Sequence, residues 1–250
     1  VSTIITCAGV SKTYWTRPSL GIKEMLIGRH RKNVGGRFSR AWALRDVSFS
    51  VPAGSAFAVI GANGSGKSTL LSLILGTLRP DAGTMRVDGS MAALLALGAG
   101  FHPELTGREN VFLYGSILGM RIREIRERFE QIVEFSELGD AIDNPLRTYS
   151  SGMVTRLGFA TITHVNADVL LVDEVLAVGD LDFQAKCQRY FDEFKTRGTL
   201  VIVSHDLDSV AKLCDHGLWL DQGVVVYAGP IQQVVDRYRH SVTHQSHPVP

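Results

Sequence analysis

Eight residues constrain this chain more than any others: Gly61 to Ser68, reading Gly-Ala-Asn-Gly-Ser-Gly-Lys-Ser. They satisfy the pattern G-x-x-x-x-G-K-S/T. A hydrophobic run, Phe57 to Ile60, leads in, and a helix-like stretch, Thr69 to Leu75, follows. Strand, glycine-rich loop and helix in that order make a phosphate-binding loop. Glycines let the backbone curl so that several N–H groups aim at one anion, and the helix N-terminus adds positive partial charge. Lys67 is spaced to reach the β- and γ-phosphates, and the Ser68 hydroxyl to ligate Mg²⁺. Gly61, Asn63, Gly64, Ser65, Gly66 and Thr69 complete the cradle. A glycine-rich turn before a buried helix is the plain alternative, and it leaves the placement of Lys67 and Ser68 without a reason.

Composition narrows the setting. The 250 residues are 45% hydrophobic and 20% charged, which suits one globular unit with a large core. A formal net charge of +1 gives no overall field for nucleic acid. Cys7, Cys187 and Cys214 are scattered and read as reduced structural thiols of a cytosolic protein, not as metal ligands. No apolar run reaches the roughly 20 residues of a membrane span. The nearest, Met91 to Leu97, is short and ends at glycine. No signal peptide is read at the start, so any membrane part is expected on another chain.

Along the chain, residues 1–16 read as a strand. Residues 17–40 hold Leu20-Gly21, a short helical pattern and a basic run (Arg29, Arg31, Lys32, Arg37, Arg40). They read either as a solvated loop or as a basic flap near anionic headgroups or a partner. Ala43 to Phe49 alternates like a strand, Pro80 to Gly83 is a turn, and Thr84 to Val87 is a strand. From Thr106 the period becomes helical, with Ile122, Ile125, Phe129, Ile132 and Val133 as a core stripe. Val169 to Val172 and Leu200 to Val203 are buried strands on either side of a helix at 181–195. Leu218 to Leu220 and Val224 to Tyr227 bracket a Gln222-Gly223 turn. A helix at Ile231 to Tyr238 precedes a tail, Ser241 to Pro250, that reads as disordered. The expected fold is α/β: a mainly parallel core with an inserted helical lobe.

Further elements narrow the phosphate loop's company. Val169 to Val172 ends in Asp173 and Glu174; the first is placed to hold Mg²⁺ and the second to polarise an attacking water. His205 follows the next apolar strand, where it can contact the γ-phosphate. Tyr149-Ser150-Ser151-Gly152-Met153 is weak alone, since an N-cap serine beside glycine is common. Lying between the phosphate loop and Asp173, it resembles the signature motif of ABC ATPases, usually Leu-Ser-Gly-Gly-Gln.

With that motif in place the chain resembles, over nearly its whole length, an ABC transporter nucleotide-binding subunit. The resemblance implies a RecA-like P-loop NTPase core with an antiparallel β subdomain and an inserted α-helical subdomain. On this sequence the core takes residues 1–100 and 168–228, the helical subdomain 101–167, and a C-terminal helix and tail 229–250. It implies ATP and Mg²⁺ as ligands and a homodimer that clamps two ATPs head to tail. Ser150 and Gly152 would then bind the γ-phosphate across the dimer, with Asp180 anchoring the interface. A tyrosine near the end of the first strand usually stacks on adenine, which points to Tyr14, with Trp42 competing.

The variant motifs, including Asp173 to Asp180 (Asp-Glu-Val-Leu-Ala-Val-Gly-Asp), the stretch Leu97 to Asn110, and the insert carrying Leu20-Gly21, resemble the ATPases of O-antigen, capsule and teichoic-acid exporters. That subgroup implies export of a lipid-linked polysaccharide through a separate membrane subunit, from the cytoplasmic face of the membrane. The glutamine most ABC ATPases carry at the entry to the helical lobe is missing: no glutamine occurs between Met91 and Glu130. Water or Glu104 is expected to complete the metal shell in its place. Some O-antigen ATPases carry a C-terminal carbohydrate-binding domain, and no such pattern is read after Tyr238. The rival readings are the same engine with another cargo (drug, peptide or lipid) and a non-transport ABC ATPase acting on ribosomes or DNA. Near-neutral charge and a single ATPase unit disfavour the second.

Overall fold

The computed structural model of the protein describes residues 2–16, 39–94, 100–173 and 180–245. The N-terminal part is an antiparallel sheet of β1 (Thr3–Thr16), β2 (Ser39–Pro52) and β4 (Ala82–Val87), in the order β2-β1-β4. Beside it lies a six-stranded sheet. Its β3 (Ala56–Ile60), β5 (Met91–Leu94), β6 (Val169–Asp173), β7 (Thr199–Val203) and β8 (His216–Asp221) run parallel, and β9 (Val224–Pro230) turns back antiparallel on β8. The order is β5-β6-β7-β3-β8-β9.

All residues of β3 and β7 are buried. Strands covered on both faces read as unbroken apolar runs, which is why Phe57 to Ile60 and Leu200 to Val203 carry no alternation. On one face Phe57 and Val59 meet Ile5, Cys7, Val10, Leu44, Val47 and Val51 of the antiparallel sheet. Leu70, Leu71, Leu73 and Ile74 of helix α1 (Lys67–Ile74) close that layer. On the other face Ala56, Ala58 and Ile60 join a larger core. It includes the phenylalanines of α5 (Leu181–Lys195) and the inserted helices α2 (Gly107–Ile117), α3 (Ile122–Ser136) and α4 (Ser151–Thr163). The stripe on α3 packs through Ile125, Phe129 and Ile132, which are buried, with Val133 partly buried against the same core and Phe112 of α2 stacked on Phe129 at 5.8 Å. Ile122, read as part of the stripe, is the first residue of the helix and lies exposed.

Several sequence expectations need adjustment. The run at Met91 forms β5, a sheet strand next to β6. Ser39 and Arg40, assigned to the basic insert, belong to β2, where Arg40 pairs with Trp15; residues 17–38 of that insert lie outside the described residues. The last helix, α7 (Ile231–Gln245), continues through residues expected to be disordered, and 246–250 lie outside the described residues. A short helix, α6 (Leu207–Leu213), was not anticipated; Asp206 caps it by accepting from the Asp208 and Ser209 amides. The three cysteines are free and buried, and burial pushes each thiol up to about 12, as suits inert core residues.

Candidate nucleotide-binding site

The parallel strands deliver their C-terminal ends to one edge, the place where open α/β sheets bind ligands. β3 runs into the glycine loop, its neighbour β7 into Ser204-His205, and β6, next along, ends at Asp173 opposite Val203. A cavity of about 500 Å³ opens there, lined by Asn63, Gly64, Gly66, Lys67, Ser68, Thr69 and Asp173, with Tyr14, Trp42 and Ala43 on the far wall. Tyr14 and Trp42 come from adjacent positions of the β1–β2 ladder, Thr13 pairing Trp42 and Tyr14 pairing Ala41. Both residues are exposed, Tyr14 at 43% and Trp42 at 56%.

The loop's glycines are there for shape. Gly66 has φ +109° and is the N-cap of α1; a Cβ on it would lie 2.6 Å from the Ala43 carbonyl oxygen. A Cβ on Gly61 would lie 2.1 Å from the Leu220 oxygen, closer than any side chain allows. The loop is braced by Ser65 N–H donating to Ala62 O at 3.1 Å and Gly223 N–H donating to Ser65 O at 2.9 Å. Lys67 is only 8% exposed, and its ammonium donates to the Gly61 and Ala62 carbonyls at 2.8 and 3.0 Å. The Ser65 hydroxyl is buried without a hydrogen-bond partner among the described residues. A curled backbone with no room for Cβ atoms, a buried cation and an unmatched hydroxyl suit a polyphosphate, and Ser68 with Asp173 supply the hard oxygen donors that Mg²⁺ prefers.

Other predicted residues lie elsewhere. Ser150 is exposed, caps α4 by accepting from Met153 N–H at 3.2 Å, and does not line the cavity, nor does Gly152. Asp180 caps α5, accepting from Phe183 N–H at 3.0 Å. Arg156 of α4 bridges Asp180 at 2.5 Å and Glu137 at 2.9 Å, so the signature helix and the Asp180 turn are tied together. His205 is exposed beyond β7. Its neighbour Asp206 is held below the usual carboxylate range chiefly by the Ser209 hydroxyl. Glu104, offered as a substitute metal ligand, faces Arg147 at 3.2 Å and does not line the cavity. Glu174, with residues 175–179, lies outside the described residues, as do 95–99, where the usual glutamine would fall. Ala43 was missed: it contributes backbone, and no side-chain motif announces that.

The family profile described as ABC transporter matches residues 44–177. The chain is 43% identical to the O-antigen export system ATP-binding protein RfbB of Klebsiella pneumoniae, over 96% of this chain and 98% of that one. It is 42% identical to the teichoic acids export ATP-binding protein TagH of Bacillus cereus, over 92% of this chain and 41% of that longer one. Among solved structures, a dimeric ATP-binding cassette in a post-hydrolysis state with ADP and Pi superposes with TM-score 0.71. It is 22% identical, over 91% of this chain and 99% of that one, and shares the fold.

Proposed function

This chain belongs to the ABC transporter family as an ATP-hydrolysing subunit, and from that premise we propose that it powers export of a lipid-linked polysaccharide. The cargo is of O-antigen, capsule or teichoic-acid type and crosses the membrane through a separate permease. The observation that carries the reading is the division of labour within one chain. The phosphate loop and Asp173 share a cavity, while the signature serine is presented on an exposed helix cap away from it. A site split in this way is completed by a second copy. Near-full-length identity to an O-antigen export ATPase supports the cargo. Among the described residues no helix is long and apolar enough to cross a membrane, which fits a peripheral subunit held by its permease at the cytoplasmic face.

In this mechanism the loop amides and Lys67 hold the β- and γ-phosphates, and Tyr14 or Trp42 stacks on adenine. Ser68 and Asp173 hold Mg²⁺, which when bound neutralises phosphate charge. Glu174 orients the attacking water and takes its proton, and His205 contacts the γ-phosphate. Ser150 and Gly152 of the opposing subunit cover the γ-phosphate, and Asp180 lies at the interface. ATP binding closes the dimer and hydrolysis releases it; the Phe101 to Asn110 segment carries the motion to the permease.

The test is affinity capture of tagged protein from detergent-solubilised host membranes. Recovery of a multi-span membrane protein at about equal stoichiometry, encoded among glycan enzymes, is the expected result. Recovery of ribosomes, DNA or soluble partners alone would leave an ATPase and remove export.

A further inference from the structure

The signature motif departs from the family pattern at Tyr149, where leucine is usual. Leucine brings no polar atom, whereas the Tyr149 hydroxyl donates to the Ala141 carbonyl at 2.5 Å. The same oxygen presses on α2: a Cβ on Gly107 would lie 2.2 Å from it. Gly107, the first residue of α2, is buried. Burial raises the Tyr149 pKa, so the group stays a donor across the neutral range.

Around this contact two segments are stitched along their length. Leu146 N–H donates to Leu105 O at 2.8 Å, Arg147 N–H to Pro103 O at 2.9 Å, and Gly107 N–H to Asn144 O at 3.1 Å. Ion pairs Arg108–Asp143 (2.7 Å) and Arg147–Glu104 (3.2 Å) flank them. These bonds secure residues 144–147. Tyr149, immediately before Ser150, bonds back to Ala141 of its own segment and meets the other segment by packing on Gly107. Ser150 then caps α4 with its side chain exposed.

We infer that Tyr149 is a positioning residue, tying the residue before the signature serine to Ala141 and against Gly107 at the start of α2, in the register that ATP on a second subunit requires. The inference rests on the split-site reading above. Tyr149 does not touch nucleotide on its own chain; it acts through Ser150. It also gives the loop facing the permease a stiff lever on the signature. A shift at Gly107 is passed toward Ser150 because the Tyr149 oxygen, held by the Ala141 carbonyl, leaves no room on that side.

The test uses the Glu174→Gln protein, in which ATP-driven dimerisation is followed by light scattering as ATP is titrated. Adding Tyr149→Phe is expected to raise the ATP concentration at half-dimerisation by about threefold to tenfold, the equilibrium weight of one hydrogen bond. Affinity for ADP, which reports the phosphate loop alone, should stay at the parental value, and the thermal midpoint should fall by no more than the few degrees one hydrogen bond is worth. Gly107→Ala should move the dimerisation curve the same way, and combining it with Tyr149→Phe should recover part of the loss, because phenylalanine vacates the oxygen's place. A dimerisation curve unchanged by Tyr149→Phe would overturn the assignment. A loss of ADP affinity as large as the shift in dimerisation would do so too, by reducing Tyr149 to a packing role. If the Glu174→Gln parent itself stays monomeric at saturating ATP, the split-site reading fails first and takes this inference with it.

Discussion

Lys67 sets a nearly buried ammonium against two carbonyls of its own loop. A cation so placed suits an anion arriving from the open side, and loop and lysine together were legible because the motif fixes residue types at fixed offsets. Asp173 was legible for a related reason: an acid ending a fully apolar strand stands out, and the strand order sets it across from the loop. Glu174 follows it by one position, and its proposed part is the base. Glu174→Gln keeps size and hydrogen bonding but cannot take a proton. Turnover should fall by ~10²–10⁴, the usual worth of a positioned base, with ATP binding retained. Steady-state phosphate release beside nucleotide titration checks this, and near-normal turnover would remove Glu174 from the role. Ala43 was not legible: its contribution is a carbonyl set against Gly66, and backbone contacts have no residue code.

At the scale of elements, long periodic segments were readable and short or polar ones were not. The α3 stripe and the α5 helix follow from apolar spacing. Helix α6 has seven residues, too few to show a period, and only its capping aspartate marks it. The end of α7 is polar and lacks a repeating apolar face, so its sequence reads like a tail although the helix continues.

The entry to α2 turns on Asn110, which is fully buried. Its amide donates to the His102, Leu105 and Thr106 carbonyls at 2.9–3.1 Å, and its oxygen accepts from His102 N–H at 2.7 Å. Asn110→Ala strands buried backbone groups and should cost about 2–4 kcal/mol. Chemical denaturation would measure this, and a cost under about 0.5 kcal/mol, the scatter of ordinary surface changes, would contradict it.

The antiparallel sheet has its own polar clasp. Asp81 accepts from Lys12 Nζ at 2.8 Å and from the Thr13 hydroxyl and amide at 2.7 and 2.9 Å. The Lys12 bond, then the Thr13 bonds, hold its pKa well below the usual carboxylate range. A lowered folded pKa gives stability that is present above the unfolded value near ~4 and is lost as pH falls through the folded one. Asp81→Asn should therefore lower the thermal midpoint by a constant amount from neutral pH down to about 4–5, and the gap should close below that. A gap that widened in acid would show that the sign is wrong.

For the whole molecule, the phosphate loop sits where two sheets and a turn converge, and that convergence decides how nucleotide binding is felt elsewhere. Gly223, in the turn between β8 and β9, donates to Ser65 O at 2.9 Å, and its own carbonyl accepts from Arg45 N–H of β2 at 2.8 Å. One residue thus links the core strands to the antiparallel sheet through the loop's bracing. The sequence marked Gln222-Gly223 as a turn but could not tell what the turn touches, since that depends on strands far apart in the chain. Gly223 has φ +78°, and a Cβ there would lie 2.6 Å from the Ala43 oxygen, the carbonyl that also limits Gly66. Alanine at 223 must strain the turn or push β2 away from the loop. The left-handed backbone alone costs roughly 1–2 kcal/mol, and displacement of Ala43 adds to it. Gly223→Ala is therefore expected to lower the thermal midpoint and also to weaken ATP affinity by at least about threefold, because the wall carrying Trp42 and Ala43 moves with β2. Thermal melts with and without nucleotide separate the two effects. A variant that melts early yet gains the parental stabilisation from ATP would show that the turn supports the fold and leaves the cavity's wall where it was.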